Sequence, residues 1–388
     1  MTSSLDVFRV DATTSTTWIF FRLTGSEGET GIGEATRHGH GEDVLAALST
    51  ALATCERCSL GLGAKLSAIR NELPGFIGNA IASALEQAWL DRLGKISGQP
   101  LHALLGGRYR AEIPTYANIN RGTITRQPAG FAERAQAAID AGYKAIKLAP
   151  FDGISPDACG DALSNADGLT ISEADRAALF QHGIARVAAV SSQFNGQADI
   201  YVDCHSRLRM SEARDTLEQM AELGVRWFEE PIPETAEHLD QIAKIRKHAN
   251  TKDMLLAGAE KSSGVTDILA FLGAGCYDVL MPDIILAGGP LEVIRIGHLA
   301  KAHNSAISLH NPCGPIMDIM CAQVATALPN LHSMERQVNE SPLYDEIVLR
   351  EHSFDQGSFI VSDSAGAGCT LLSSHPDVNH VATYTIDI

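Results

Sequence analysis

Three carboxylates, each closing a short apolar run, define the chemistry this chain can reach. Asp203 ends Ile200-Tyr201-Val202, Glu229 ends Trp227-Phe228, and Glu260 ends Leu255-Leu256-Ala257-Gly258-Ala259. An apolar run that stops at an acid and gives way to helical periodicity reads as a barrel strand delivering its last side chain to a catalytic rim. Three such acids from successive strands make an all-oxygen site for a hard divalent cation, Mg2+ by preference. Any one of them alone reads more simply as a salt-bridge partner or a helix cap. Their recurrence in consecutive units favours the metal.

Four other strand ends supply ionisable groups. Lys147 lies within Ala145-Ile146-Lys147-Leu148-Ala149, Asp283 ends Leu280-Met281-Pro282, His310 ends Ile307-Ser308-Leu309, and Glu335 ends an eighth run. A barrel brings neighbouring strand ends within side-chain reach, so Asp283 and His310 are placed to hydrogen-bond. A carboxylate holding one imidazole nitrogen fixes the tautomer and makes the other nitrogen a general base. His205 follows Asp203 by two residues, so an extended strand points both to one face. There it either protonates a departing hydroxyl, supports the metal ligand beside it, or contacts an anion. Lys261, directly after Glu260, is placed to add positive charge near the carboxylate, although an alternating strand would point it away. His38 and His40, in a Gly-rich loop, are candidates for the distal end of a substrate, although exposed loop histidines are more often inert.

The elements that must position these groups follow from the pattern. Short apolar runs at 115–120, 145–151, 199–205, 227–231, 254–260, 279–283, 306–311 and 331–335 alternate with helical segments such as 211–223, 235–248, 290–302 and 316–327. Eight strands each followed by a helix predict a closed (β/α)8 TIM barrel with its chemistry at the strand C-termini. Strands at 7–10, 16–23 and 30–34 and helices at 42–55, 60–73 and 79–95 precede it, and alternation returns at 358–361 and 383–386. The expected organisation is an α+β capping domain (1–112), the barrel (113–336) and a C-terminal segment returning to the cap (337–388). The stretch 153–169 is long for a βα loop and is either a cover for the site or an ordered excursion.

The chain has 388 residues, 45% hydrophobic and 20% charged, an ordinary globular balance with room for a barrel and a cap. A formal charge of -17 disfavours nucleic acid and anionic membranes as partners. No apolar stretch is long enough to span a bilayer, and no basic-then-apolar leader opens the sequence. The scattered cysteines, with Cys55 and Cys58 the only close pair, read as buried free thiols of a reducing compartment. The expectation is a cytoplasmic protein acting on a small-molecule carboxylate, assembled as a closed symmetric homo-oligomer.

The ordered motifs Gly31-Ile32-Gly33-Glu34, Ala84-Leu85-Glu86-Gln87-Ala88-Trp89-Leu90-Asp91, Leu104-Leu105-Gly106-Gly107 and the Lys147 strand are followed by Val202-Asp203 and Trp227-Phe228-Glu229-Glu230-Pro231. Gly258-Ala259-Glu260, Met281-Pro282-Asp283, Gly288-Gly289 and Ser308-Leu309-His310 complete the series. Over nearly its whole length the chain thus resembles the enolase superfamily, within it the mandelate racemase-like group. That resemblance implies Mg2+ ligands at Asp203, Glu229 and Glu260, a base dyad of Asp283 and His310, and Glu335 near the substrate carboxylate. It also implies removal of a proton α to a carboxylate, with the enediolate charge stabilised by the cation and its neighbours.

One departure narrows the reaction. The group commonly presents Lys-x-Lys on the second barrel strand, where this chain has Lys147-Leu148-Ala149. Without the second base, racemisation is disfavoured, and His205 matches the acid of sugar-acid dehydratases in the group. The expected activity is a Mg2+-dependent dehydratase of a sugar acid. The alternatives are a racemase, epimerase or cycloisomerase using Lys147 as second base, a dehydratase of a β-hydroxylated cyclic amino acid, and a non-catalytic anion-binding barrel. Specificity is expected from the capping loops at 13–17 and 37–41.

Overall fold

The fold is seen in a computed structural model, which describes residues 2–155, 169–194 and 196–388. Most of the excursion expected at 153–169 therefore lies outside the described residues. The capping sheet is built from β1 (Thr2–Asp11), β2 (Thr17–Thr24) and β3 (Thr30–Glu34), and it carries helices α1 (Gly41–Arg57), α2 (Leu62–Glu72), α3 (Phe76–Ser97) and α4 (Leu101–Leu104). The Gly-Ile-Gly-Glu motif has a packing reason. A Cβ on Gly31 would sit 1.9 Å from the Ala88 carbonyl oxygen and one on Gly33 2.2 Å from that of Ala84, so only glycines let β3 lie directly on α3.

The catalytic unit alternates β4 (Glu112–Asn118), α5 (Pro128–Asp140), β5 (Ala145–Leu148), α6 (Glu173–Phe194), β6 (Asp199–Asp203), α7 (Met210–Glu222), β7 (Val225–Glu229), α8 (Leu239–Asn250), β8 (Leu255–Gly258), α9 (Val265–Ala274) and β9 (Val279–Leu280). It continues with α10 (Ile284–Ala287), α11 (Pro290–Ala302), β10 (Ala306–Leu309), α12 (Pro315–Ala327) and β11 (Leu331–Gln337). The eight expected apolar runs are these eight strands. Neighbours pair in sequence order, and β11 closes in parallel on β4 with Met334 opposite Thr115 and Glu335 opposite Tyr116. The barrel interior is filled, as its inward-facing positions require: Tyr116, Ala145, Tyr201, Trp227, Ala257, Val279 and Met281 form a buried cluster of their own.

The remaining elements are α13 (Leu343–Glu346), β12 (Val348–Arg350), β13 (Ser353–Asp355), β14 (Ser358–Ile360), β15 (Cys369–Leu371) and β16 (Asn379–Asp387). β16 joins the capping sheet beside β1, antiparallel, from Thr2 opposite Asp387 to Arg9 opposite Asn379. The alternating stretch near Ser358 behaves otherwise than expected. β14 pairs with barrel strand β4 and not with the N-terminal sheet, because residues 112–114 extend β4 beyond its barrel register and offer a free edge.

Cap and barrel are joined by buried polar contacts. Glu34 accepts the N–H groups of Gly314 and Met317 at 2.6 and 2.8 Å, capping α12. Asn79 donates to Ser263 Oγ and to the Leu286 carbonyl, both at 2.6 Å, and Ser83 donates to the Ile284 carbonyl. The Leu291 N–H donates to Glu86 Oε2, so the Ala84–Asp91 motif reads as a docking face for the loops after β8 and β9. No described helix is long and apolar enough to cross a membrane. The seven described cysteines are free, all buried except Cys58, which is half-buried.

Candidate active site

β6 and β7 end level with each other, with Asp203 opposite Glu229 in the ladder. β8 stops two residues short of Glu260, and Ala259 takes φ +70°, a turn that swings Glu260 back over the barrel axis. The three carboxylates converge: one oxygen from each lies within 4.8 Å of the others, and all three side chains are buried. Glu260 Oε2 is buried and makes no hydrogen bond. Three clustered acids, with Glu260 Oε2 making no hydrogen bond though His310 Nε2 lies 3.2 Å away, suit a hard divalent cation.

Lys147, buried on β5, is pinned by carboxylates: its Nζ lies 2.8 Å from Glu229 Oε1 and 3.1 Å from Glu335 Oε1. Burial alone would drive its ammonium down, but these two acids outweigh it and hold the lysine well above its ordinary range. Burial raises Glu229, and the acids crowded around it add to that rise, which is the electrostatic cost of the assembled cluster. Beneath this layer Trp227 Nε1 donates to Glu229 Oε2 at 2.7 Å, and its ring stacks on Tyr201 at 4.8 Å. Tyr116 meets Tyr201 edge-on at 5.2 Å. An aromatic floor therefore fixes Glu229 from below.

His310 follows β10 directly and forms the expected dyad, with Nδ1 3.0 Å from Asp283 Oδ2. The other Asp283 oxygen accepts the N–H groups of Ile285 and Leu286 and caps α10, so this carboxylate is locked. His310 Nε2 points to the acids, 3.2 Å from Glu260 Oε2 and 4.0 Å from Glu335 Oε2. Burial opposes its charge, yet Glu260, Asp283 and Glu335 together push the imidazole up to about 9. Glu335 is itself held by Asn118 Nδ2 and by the Asn311 N–H.

His205 reaches the site by a different route from the one expected. β6 ends at Asp203, and His205 and Ser206 adopt φ +47° and +59°. The histidine thus sits in a tight turn and not on an extended strand, and the turn brings Nε2 to 2.7 Å from Asp203 Oδ2. Burial would raise Asp203, but His205 and Lys147 outweigh it and hold the acid well below the usual carboxylate range. For Lys261 only the alternation argument is corrected: strand alternation stops at Gly258, and its Nζ lies 3.2 Å from Glu230 Oε2 and 3.5 Å from Glu260 Oε1. His40 is paired with Asp43 on the surface, away from the acids. His38 is exposed in the cap loop.

Sequence reasoning missed Asn118, Asn311 and Trp227, which hold Glu335 and Glu229. Trp227 had a legible signal, since it stands two residues before Glu229 and so on the same strand face. The asparagines had none: Asn118 reaches Glu335 only because β4 meets β11 at barrel closure, and Asn311 acts through a backbone N–H that any residue there would offer.

A family model described as Enolase C-terminal domain-like fits residues 130–374. The chain belongs to the enolase superfamily. Its motifs place this superfamily member in the mandelate racemase-like group. It is 27% identical over 290 residues to the D-gluconate dehydratase of Thermoproteus tenax, covering 74% of this chain and 54% of that protein, so the match spans about half the relative's length. It is 25% identical over 361 residues to the D-xylonate dehydratase of Haloferax volcanii, covering 91% and 83%. A crystal structure of a member of the enolase superfamily from Salmonella Typhimurium superposes with a TM-score of 0.81 at 22% identity, covering 100% of both chains.

Proposed function

We propose that this chain is a Mg2+-dependent hydro-lyase that dehydrates a sugar acid to a 2-keto acid. The carrying observation is the pair of histidines on opposite walls. β6 and β10 are the third and seventh of eight barrel strands, so His205 and His310 face each other across the axis, and each touches an acid of the metal site. Mg2+ held by Asp203, Glu229 and Glu260 would supply Lewis-acid charge for the substrate carboxylate. His310, its Nδ1 proton committed to Asp283, takes the α-proton at Nε2. Lys147, held as an ammonium by Glu229 and Glu335, opposes the charge that develops on the carboxylate oxygens. His205 gives a proton to the β-hydroxyl, the C–O bond breaks, water leaves, and the enol ketonises.

The racemase alternative is less well supported. Ala149 offers no second base, and Lys147 is clamped between two acids in its protonated form. The dehydratase relatives support a sugar acid over a cyclic amino acid. The test is proton NMR in D2O with Mg2+ and a panel of sugar acids, following keto-acid formation and α-deuteration. His310→Asn is expected to abolish both. Label appearing in recovered substrate without loss of water would replace the dehydratase with a racemase or epimerase.

A further inference from the structure

The segment that follows the catalytic base is held residue by residue. The Asn311 N–H donates to Glu335 Oε2 at 3.1 Å, the Cys313 N–H to Asn311 Oδ1 at 3.3 Å, and the Gly314 N–H to Glu34 Oε1 at 2.6 Å. Pro312, two residues beyond His310, has no N–H, so its carbonyl is the one backbone group by which it can be fixed. Arg121, in the loop after β4, takes that carbonyl: its Nη1 donates to it at 2.6 Å.

The same nitrogen meets Glu340, 3.2 Å from Oε1 and 3.4 Å from Oε2. The Glu340 side chain is buried in the tail beyond β11, and the tail runs tightly over this loop, since a Cβ on Gly122 would sit 2.7 Å from the Val338 carbonyl oxygen. Glu340 Oε1 also accepts the hydroxyl of Thr16, at 2.6 Å. Thr16 is buried and closes the capping loop between β1 and β2. That loop is otherwise bonded to itself: the Thr13 N–H donates to the Thr16 carbonyl at 3.2 Å, and the Thr16 N–H to Thr13 Oγ1 at 3.0 Å. Among the described residues, the bond to Glu340 is the one hydrogen bond that leaves residues 12–16. A single chain of polar contacts thus runs from the cap loop through the tail and the first barrel loop to the backbone beside the base.

We propose that Arg121 and Glu340 are positioning residues for His310, transmitting the seating of the β1–β2 loop through the Pro312 carbonyl to the segment that carries the base. Their side chains act on that backbone and not on the substrate. An imidazole shifted by a fraction of an ångström loses its alignment with the α-proton, so loosening residue 312 slows proton removal while binding is kept. The proposal rests on the dehydratase reading for its kinetic readout but not for its amide-exchange readout.

The experiment compares wild type, Thr16→Val, Arg121→Gln, Arg121→Lys and the double variant Thr16→Val/Arg121→Gln. With saturating Mg2+ in D2O, kcat and KM for α-deuteration are measured on the sugar acid that wild type deuterates fastest. Arg121→Gln is expected to lower kcat at least about tenfold with KM within about threefold, and Arg121→Lys to recover part of the loss. Thr16→Val, which keeps the side-chain shape and removes only the hydroxyl, should lower kcat by about threefold or more and carries the test if Arg121→Gln does not fold. The double variant should be no slower than Arg121→Gln alone, because the route is already cut. Losses that multiply in the double variant, or a raised KM with kcat unchanged, would overturn the linkage. If wild type deuterates no sugar acid, the dehydratase reading fails by itself, and amide hydrogen exchange of the Mg2+-loaded protein decides. Thr16→Val should then speed exchange at Asn311, Cys313 and Gly314, and Arg121→Gln at Thr13 and Thr16, since coupling is reciprocal. Faster exchange confined to the substituted element would overturn it.

Discussion

Replacing Asp283 by Asn separates two duties of one carboxylate. Oδ1 accepts the N–H groups of Ile285 and Leu286 at 2.7 and 3.1 Å, and an asparagine oxygen can keep that cap. Oδ2 accepts from His310 Nδ1 at 3.0 Å, and there the amide would present N–H groups to a nitrogen that must itself donate. Losing a buried charge-assisted bond of this kind costs about 2–3 kcal/mol, or about 30- to 150-fold in rate. If the imidazole answers by moving its proton to Nε2, the basic nitrogen is blocked, and the loss approaches about 10^4-fold. The assay is α-deuterium incorporation in D2O with Mg2+, beside a thermal melt. The melting temperature should move little while exchange falls by at least about 30-fold. A variant exchanging within about threefold of wild type would refute the claim that Asp283 orients the base.

Three further outcomes follow from the geometry. Mg2+ at about 100 times its Kd should stabilise the chain by about 2.7 kcal/mol, a rise of about 3 °C for a protein this long. Glu229→Gln should erase that rise in the same thermal-shift measurement. His205→Asn should leave α-proton exchange running and slow keto-acid release by about 10^2- to 10^4-fold; equal losses in both steps would contradict its role as the acid. Glu212 provides a pH test away from the site. Burial would raise its pKa, but Arg176 at 3.1 and 2.6 Å and the Arg209 N–H outweigh burial and depress it. A depressed acid stabilises the fold above its unfolded value and loses that contribution as pH falls through the folded one. The stability deficit of Glu212→Gln, about 1–2 kcal/mol at pH 7, should therefore shrink steadily as pH falls below about 4.5, as read from urea melts at a series of pH values.

The barrel and its acids were legible because strands buried on both faces must read as apolar runs and because seven of the eight runs carried an ionisable residue in or at the end of the run. Asp203, Glu229, Asp283, His310 and Lys147 all lie where that pattern put them. The pattern failed just past the strands. Alternation was carried through Gly258 to Lys261 and through Asp203 to His205, but Ala259 and His205 turn left-handed, so the faces assigned to the residues beyond were no longer set by a two-residue period. The Thr16–Glu340–Arg121 contacts were hidden for another reason. Glu340 is 324 residues from Thr16 and 219 from Arg121, and its register depends on the return of the tail. β14 was assigned to the wrong partner because alternation reports a half-buried strand and says nothing of which edge receives it.

The capping sheet joins residues 2–11 to residues 379–387. During synthesis the three N-terminal strands must keep the β1 edge of their sheet open while the whole barrel is translated. Folding order is thereby imposed by topology: the barrel, assembled from sequential βα units, can mature first, and the enclosure over its mouth is zipped last through contacts of the greatest possible sequence separation. A ribosome-stalled chain ending before residue 379 would accordingly be a formed barrel with an open, protease-sensitive roof.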